Sequence, residues 1–478
     1  MAEKLLVAGT TKSRVRYLLN DIFLYGAASA LVPLVGLIAV PLLTHRLTVA
    51  EYGAFELVLS YIGVAVIIGG AGQDSAFARY YYDHDNDDRR RQIINQAFWT
   101  QLVTSLLLSF IFITIGYSLF ERVLSISNFQ LLVYCAALSI PSIVGFNFVR
   151  NVLKWTFLRR GYVLATFLYA GLVLVGYYIS VVLLGLGPLG AVMAQAVGAL
   201  TIAMGGLWTL RNSGVGKYAD NFSLSMAKYG IPYVLLGMLS QGVRALDKTI
   251  LVKVNGLEAA AIYGVGFKIA TFILIVESTF NMAWGPVAMA IHKEKNSIDT
   301  YNFALGALAW ILSSVFLLLS FFSGWIVSII APSGYVGAAS VTVIICIGFV
   351  MQSLAGITAV GIELAKKPSF LILSWGLGVG AATVLMVLLA PTMGTVGVAL
   401  GASAGLIVES IVRTICAYAV YPFRFRLTSG LKPLFIAVCM VAVSSFHGQH
   451  FQMILKILLG LSFGVLGYTS LRKNWLRA

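Results

Sequence analysis

KYGIPYVLLGMLSQGVRALDKTILVKVNGLEAAAIYGVGFKIATFILIVESTFNMAWGPVAM, residues 228–289, holds two long apolar segments joined by a short turn at Asn255–Glu258. Each segment is long enough for a membrane helix, which needs about 20 mainly apolar residues. Yet Arg244, Asp247, Lys248, Lys268 and Glu277 lie inside them. An ionisable side chain at membrane depth costs roughly 2.5–3.5 kcal/mol on insertion scales, so such groups face a bundle interior or a watery cavity. The stretch therefore predicts a helix pair that lines a polar path suited to an anionic cargo.

The rest of the chain fits that setting. Of 478 residues, 59% are hydrophobic and only 11% are charged, and the mean hydropathy is +0.91. A soluble protein carries about 25% charged residues, so the expected class is an all-α polytopic membrane protein. The net charge of +15 then reads as topology signal and headgroup contact, not as a nucleic-acid surface. Cys135, Cys346, Cys416 and Cys439 lie in apolar segments without paired or metal-ligand spacing and read as packing residues. The N-terminus has no apolar core with a small-residue cleavage site, so no cleavable signal peptide is expected.

About fourteen segments have the length and polarity of spanning helices: 20–43, 52–73, 93–119, 129–151, 162–184, 188–210, 229–252, 261–284, 302–322, 338–362, 369–390, 394–419, 431–447 and 451–470. The longest polar intervals between them, 74–92, 211–228 and 292–300, read as loops. With both termini cytoplasmic, 25 of the 33 Lys and Arg residues fall on the inner side and three (Arg46, Arg122, Lys253) on the outer side. An internal repeat crosses the chain. GPLGAVMAQAVG (187–198) matches GTVGVALGASAG (394–405) at an offset of 207, with three glycines in register, and Arg159–Arg160 matches Lys366–Lys367 at the same offset. Tyr25–Gly26 and Tyr52–Gly53 recur as Tyr229–Gly230 and Tyr263–Gly264. The expected architecture is two parallel six-helix lobes, 20–213 and 224–421, plus a C-terminal helix pair at 431–470, with a substrate site between the lobes. Pro33 and Pro41 make the first segment a candidate bending element.

No Gly-rich phosphate loop ending in GK[ST], no HExxH and no CxxC is present, so an ATPase, a zinc peptidase or a dithiol site is not expected. The tract YYYDHDNDDRRR (80–91) mixes carboxylates and His84 with three arginines and reads as a solvated loop, not a metal site. The informative groups are those at membrane depth. Gln241, Arg244 and Lys248 recur at i, i+3 and i+7, one stripe of a helix, and Lys268 lies at similar depth. Arg offers a planar fork to phosphate oxygens and Lys a point charge, so these are candidate cargo contacts. Asp247 could instead pair with Arg244 or Lys268, and Lys248 could snorkel outward. Arg150, with Lys154, Arg159 and Arg160, forms a basic cluster at the inner mouth, suited to lipid phosphates or simply to topology. Glu56, Asp74, Asp247, Glu277, Glu363 and Glu409 are candidates to carry Na⁺ or H⁺, Glu277 first among them. Asp74 is also expected to pair with Arg79 or meet water.

The motifs RLTVAEYGAFEL (46–57), GQDSAFARYYYD (72–83), MAKYGIPYVL (226–235), LDKTILVKVNGLEAAAIYGVGFKIA (246–270) and NMAWGPVAM (281–289) resemble the Wzx-type polysaccharide-biosynthesis flippases. That family shares a superfamily with MATE exporters and lipid II flippases. The resemblance implies two six-helix lobes around a central cavity. It implies a non-enzymatic transporter in a bacterial inner membrane that moves undecaprenyl-pyrophosphate-linked oligosaccharides from inner to outer leaflet, for O-antigen or exopolysaccharide synthesis. It further implies alternating access driven by a Na⁺ or H⁺ gradient without a bound cofactor, with membrane lipids, a polymerase and a chain-length regulator as partners and no nucleic acid. The family's cationic cavity residues would correspond to Arg244, Lys248 and Lys268. Rival readings are an ion-coupled exporter of small cationic compounds, which predicts an acidic cavity, and a membrane-embedded glycan polymerase or ligase. The polymerase or ligase reading predicts large catalytic outer loops, whereas the outer loops here are short.

Overall fold

The computed structural model describes residues 31–83, 86–121, 129–211, 224–292, 297–365, 367–421, 425–445 and 449–475. Among these the chain is all helical, without a strand. Two compact units emerge from the packing, Met1–Ala261 and Ile262–Ala478. Ten helical stretches among the described residues are long and apolar enough to cross a membrane. This is a multi-pass membrane protein, and apolar side chains such as Leu106, Phe110 and Ile115 point outward where a soluble protein would place polar ones. The expected segment 20–43 is described only from Leu31, as the helix Leu31–Thr44, which carries both Pro33 and Pro41. The termini, His84 and Lys217 lie outside the described residues.

In the first unit, α1 (Leu31–Thr44) leads into α2 (Val49–Gly69). Thr48 caps α2: its hydroxyl accepts from the Glu51 amide at 3.2 Å, and Glu51 reaches back to the Thr48 amide at 2.9 Å. This reciprocal box satisfies two amides that the first turn leaves open. The chain then turns through Gly70–Gly72 into α3 (Gln73–Tyr82). The interval 74–92 reads as loop in the sequence, but its first residues are helical. The reason is amphipathic: Ala76 and Phe77 are buried while Asp74 and Arg79 stay accessible, a pattern that a search for continuous apolar runs passes over. Then come α4 (Asp87–Glu121), α5 (Phe129–Trp155), α6 (Arg159–Tyr177), which runs on through a wide turn Tyr178–Leu183, and α7 (Gly187–Leu210). The last helix of this unit is α8 (Leu224–Asn255). It is diluted by Gln241, Arg244, Asp247 and Lys248 and does not reach the apolarity of the ten stretches above.

Helix α8, which the repeat groups with the second half, packs in the first unit along α2. Tyr61 and Thr249 share a hydrogen bond of 2.8 Å between their hydroxyls. A Cβ on Gly53 would stand 1.9 Å from the Leu257 carbonyl oxygen, and one on Gly72 would stand 2.2 Å from the Gly230 carbonyl. Only glycine permits approaches this close. Gly72 also has φ +64°, a conformation that L side chains rarely adopt.

The second unit takes α9 (Leu257–Ala270) beyond Ala261, then α10 (Phe272–Ile291), separated from α9 by a break at Thr271. It continues with α11 (Ser297–Ile330), α12 (Ala338–Thr358), a short α13 (Val360–Leu364), α14 (Ser369–Val420), α15 (Leu427–Ser445) and α16 (Gln449–Trp475). The expected segments 369–390 and 394–419 form one run of 52 residues, α14, broken by non-helical backbone at Gly394. Gly394 has φ +55° and its repeat partner Gly187 has φ +62°. Both sequence copies thus open on a glycine with positive φ. Within the second copy, Gly401 lies against Met386 and Gly405 against Ala382.

Candidate functional site

The predicted cation stripe contains a buried ion pair. Lys248 is buried, and its Nζ donates to Glu56 Oε2 at 2.8 Å and to the Glu56 carbonyl at 3.2 Å. The cargo candidate and the ion-coupling candidate are therefore one buried ion pair joining α8 to α2. Asp247, also buried, accepts from the Lys248 amide at 2.5 Å. Arg244 and Gln241 are half-buried on α8 in the same unit, and Lys268 is half-buried on α9 in the second unit. Arg150 Nη2 donates to the Tyr162 hydroxyl at 2.8 Å, and its guanidinium lies over the rings of Phe146 and Tyr162.

Asp74 sits elsewhere, in a polar pocket of about 490 Å³ in the first unit. Three helices build it. From α3 come Asp74, Ser75, Ala78 and Arg79; from α5, Asn151, Lys154 and Trp155; from α8, Tyr229 and Tyr233. These are the i, i+1, i+4, i+5 face of α3, the i, i+3, i+4 face of α5 and an i, i+4 pair on α8, so each helix turns one face inward. An adjoining cavity of about 140 Å³ shares Asp74, Ser75 and Tyr233 and adds Gln101 and Asn147. The expected Asp74–Arg79 pairing is replaced by amides: Gln101 Nε2 donates to Asp74 Oδ1 at 3.0 Å, and Asn151 also hydrogen-bonds the carboxylate. Arg79 lies instead over the Tyr229 ring, 4.9 Å from its centre. The Tyr229 and Tyr233 hydroxyls are 3.2 Å apart and their ring centres 5.5 Å apart. Trp155 is held by Tyr82, whose hydroxyl donates to the Trp155 carbonyl.

In the second unit Glu277 accepts from Ser353 Oγ at 2.8 Å and from Asn281 Nδ2 at 3.1 Å. Buried Glu409 receives Arg413 Nε at 2.6 Å. Arg413 lies within electrostatic reach of Glu277, Glu363 and Glu409 alike. Its direct ion pair is with Glu409. Arg413 escapes the sequence reading because it lies near the end of an otherwise apolar run; its i, i+4 spacing from Glu409 is the available signal. Asn151, Gln101, Tyr229 and Tyr233 also escape it, since uncharged polar side chains in helices carry no spacing signature.

Among the described residues no group of three or more His, Cys, Asp or Glu side chains could hold a metal ion. The string GASAG (401–405) spells the G-x-S-x-G pattern of hydrolase nucleophiles, but Ser403 is buried inside α14 and no strand precedes it among the described residues. It is a packing motif.

Comparison with known proteins places the chain. Residues 18–292 match the family described as polysaccharide biosynthesis protein. No curated protein matches. Among solved structures the chain is similar to the lipid II flippase MurJ in an inward closed conformation, with 15% identity, a TM-score of 0.74, and coverage of 94% of this chain and 99% of that one. It is similar to an inward-facing multidrug resistance MATE family transporter of the MOP superfamily, with 18% identity, a TM-score of 0.66, and coverage of 81% and 93%. A mutant of the Vibrio cholerae MATE transporter VcmN matches with 13% identity and a TM-score of 0.63 over 84% of this chain and 97% of that one. At these identities the likeness is one of fold.

Proposed function

The chain belongs to the polysaccharide biosynthesis protein family, and on that premise we propose that it is a transporter of lipid-linked oligosaccharides. The observation that carries this reading is the family match on a chain whose fold is that of a lipid II flippase over nearly its whole length. The cargo is an undecaprenyl-pyrophosphate-linked unit, moved from the inner to the outer leaflet of a bacterial inner membrane for cell-surface polysaccharide. The chain crosses the membrane fourteen times, with both termini cytoplasmic, as lobes 20–213 and 224–421 plus the pair 431–470. Polymerization and chain-length control belong to partner proteins. The transporter is not an enzyme and needs no bound cofactor.

Transport runs by alternating access on a Na⁺ or H⁺ gradient. Glu277 is the coupling carboxylate: it is held by two neutral donors, Ser353 and Asn281, and shares Arg413 with Glu363 and Glu409. Half-buried Arg244 contacts the cargo. The test uses proteoliposomes containing the full chain and a fluorescent polyprenyl-diphosphate-linked oligosaccharide. Gradient-driven movement of the label between leaflets is expected. Absence of that movement, together with efflux of a cationic dye, would replace the reading with that of a small-molecule exporter.

A further inference from the structure

The pocket formed by α3, α5 and α8 has a composition that the roles assigned above leave unused. We infer that it is a sugar-binding subsite, which takes the phosphate-proximal sugar of the lipid-linked cargo; this inference rests on the transport reading of the preceding subsection. A pyranose presents two chemistries at once. One face is a patch of C–H groups, and the rim carries hydroxyl or amide groups that donate and accept hydrogen bonds. A site for it needs an aromatic plane beside carboxylate and amide groups.

The pocket supplies both. Tyr229, Tyr233 and Trp155 give aromatic surface with a polar edge, the kind of side chain that binds an amphipathic partner at small entropic cost. Asp74 is accessible from the pocket although helices surround it, and Gln101 and Asn151 fix its carboxylate. An ionised carboxylate has about four acceptor sites, so Gln101 and Asn151 leave capacity for a sugar hydroxyl or amide N–H. Asn151 and, in the adjoining cavity, Asn147 and Gln101 add further amides. Arg79 and Lys154 are exposed and line the same pocket, Arg79 over one face of the Tyr229 ring and Lys154 over one face of the Trp155 ring, and supply two cations for the phosphate attached to that sugar. The volume of about 490 Å³ lies within the range of small-molecule sites, roughly 300–1,000 Å³. A small organic cation is disfavoured here, because the pocket offers it two cations for one carboxylate.

The experiment compares two probes on the full-length protein in detergent, by titration calorimetry: farnesyl diphosphate, and farnesyl diphosphate linked to N-acetylglucosamine. Wild type is expected to bind the sugar-bearing probe about tenfold more tightly, the worth of one charge-assisted hydrogen bond. Asp74→Asn and Tyr229→Ala should each remove that preference while leaving farnesyl diphosphate binding unchanged. Tyr229→Phe, which keeps the ring, should retain most of it and controls for folding. Lys154→Ala should weaken both probes alike. An unchanged preference in both Asp74→Asn and Tyr229→Ala overturns the subsite. So does an Asp74→Asn variant that keeps the preference but loses gradient dependence of transport, which would assign Asp74 to the ion. If wild type moves lipid-linked saccharide in proteoliposomes yet shows no sugar preference, the subsite alone fails. If the preference is present and no movement occurs, the transport reading fails and the sugar site stands.

Discussion

At the scale of residues, Lys248 and Glu56 show how a pairing alters the meaning of both partners. A helical stripe identifies the face that Lys248 occupies, but its partner lies 192 residues away, and no periodicity reaches that far. Buried ion pairs are costly to break singly because the survivor is left charged in a poor solvent, about 3–5 kcal/mol, whereas replacing both by apolar groups is often neutral or stabilising. Lys248→Ala should therefore lower stability by about 3–5 kcal/mol, and the double variant Lys248→Met with Glu56→Leu should recover most of that loss. Thermal unfolding of the purified variants checks both, and equal losses in the single and double variants would remove the pair as a structural element. Arg244 carries a different expectation. Arg244→Ala should reduce surface glycan while the amount of protein in the membrane stays normal; unchanged glycan would end its cargo role.

At the scale of elements, apolar runs of about 20 residues are legible directly, because the bilayer demands them. The repeat is legible as well, down to the glycines that take the same positive φ at Gly187 and Gly394. What stays hidden is α3, whose helix is amphipathic, and the close seam between α2 and α8, which depends on what each glycine meets. Gly72→Ala combines a positive φ with a backbone neighbour at 2.2 Å and should cost about 2 kcal/mol or more. Gly63→Ala, on α2, meets nothing within 4 Å and should cause no loss. Unfolding midpoints of the two variants compare them directly, and equal midpoints would show that the seam tolerates a methyl group.

At the scale of the whole molecule, the all-helical membrane class can be read from composition and the family from its motifs. The pocket around Asp74 cannot, because it assembles side chains from residues 74, 151 and 229 that only folding brings together. The proposed transport is nonetheless testable on the intact protein. Collapsing the Na⁺ or H⁺ gradient across proteoliposomes should halt movement of labelled lipid-linked sugar. Glu277→Gln should abolish the response to the gradient, and a wild-type response would move the coupling role elsewhere. The Lys248–Glu56 contact also bears on biogenesis. Helix α8 lacks the apolarity of its neighbours, and each charged residue near the centre of a nascent span raises the cost of leaving the translocon by about 2.5–3.5 kcal/mol. Its counter-ion has already been synthesised on α2. We therefore expect α8 to linger at the translocon until α2 receives it: fused alone to a reporter, 224–255 should integrate poorly, and Lys248→Leu should improve integration, with Arg244 and Asp247 keeping it below that of the apolar spans.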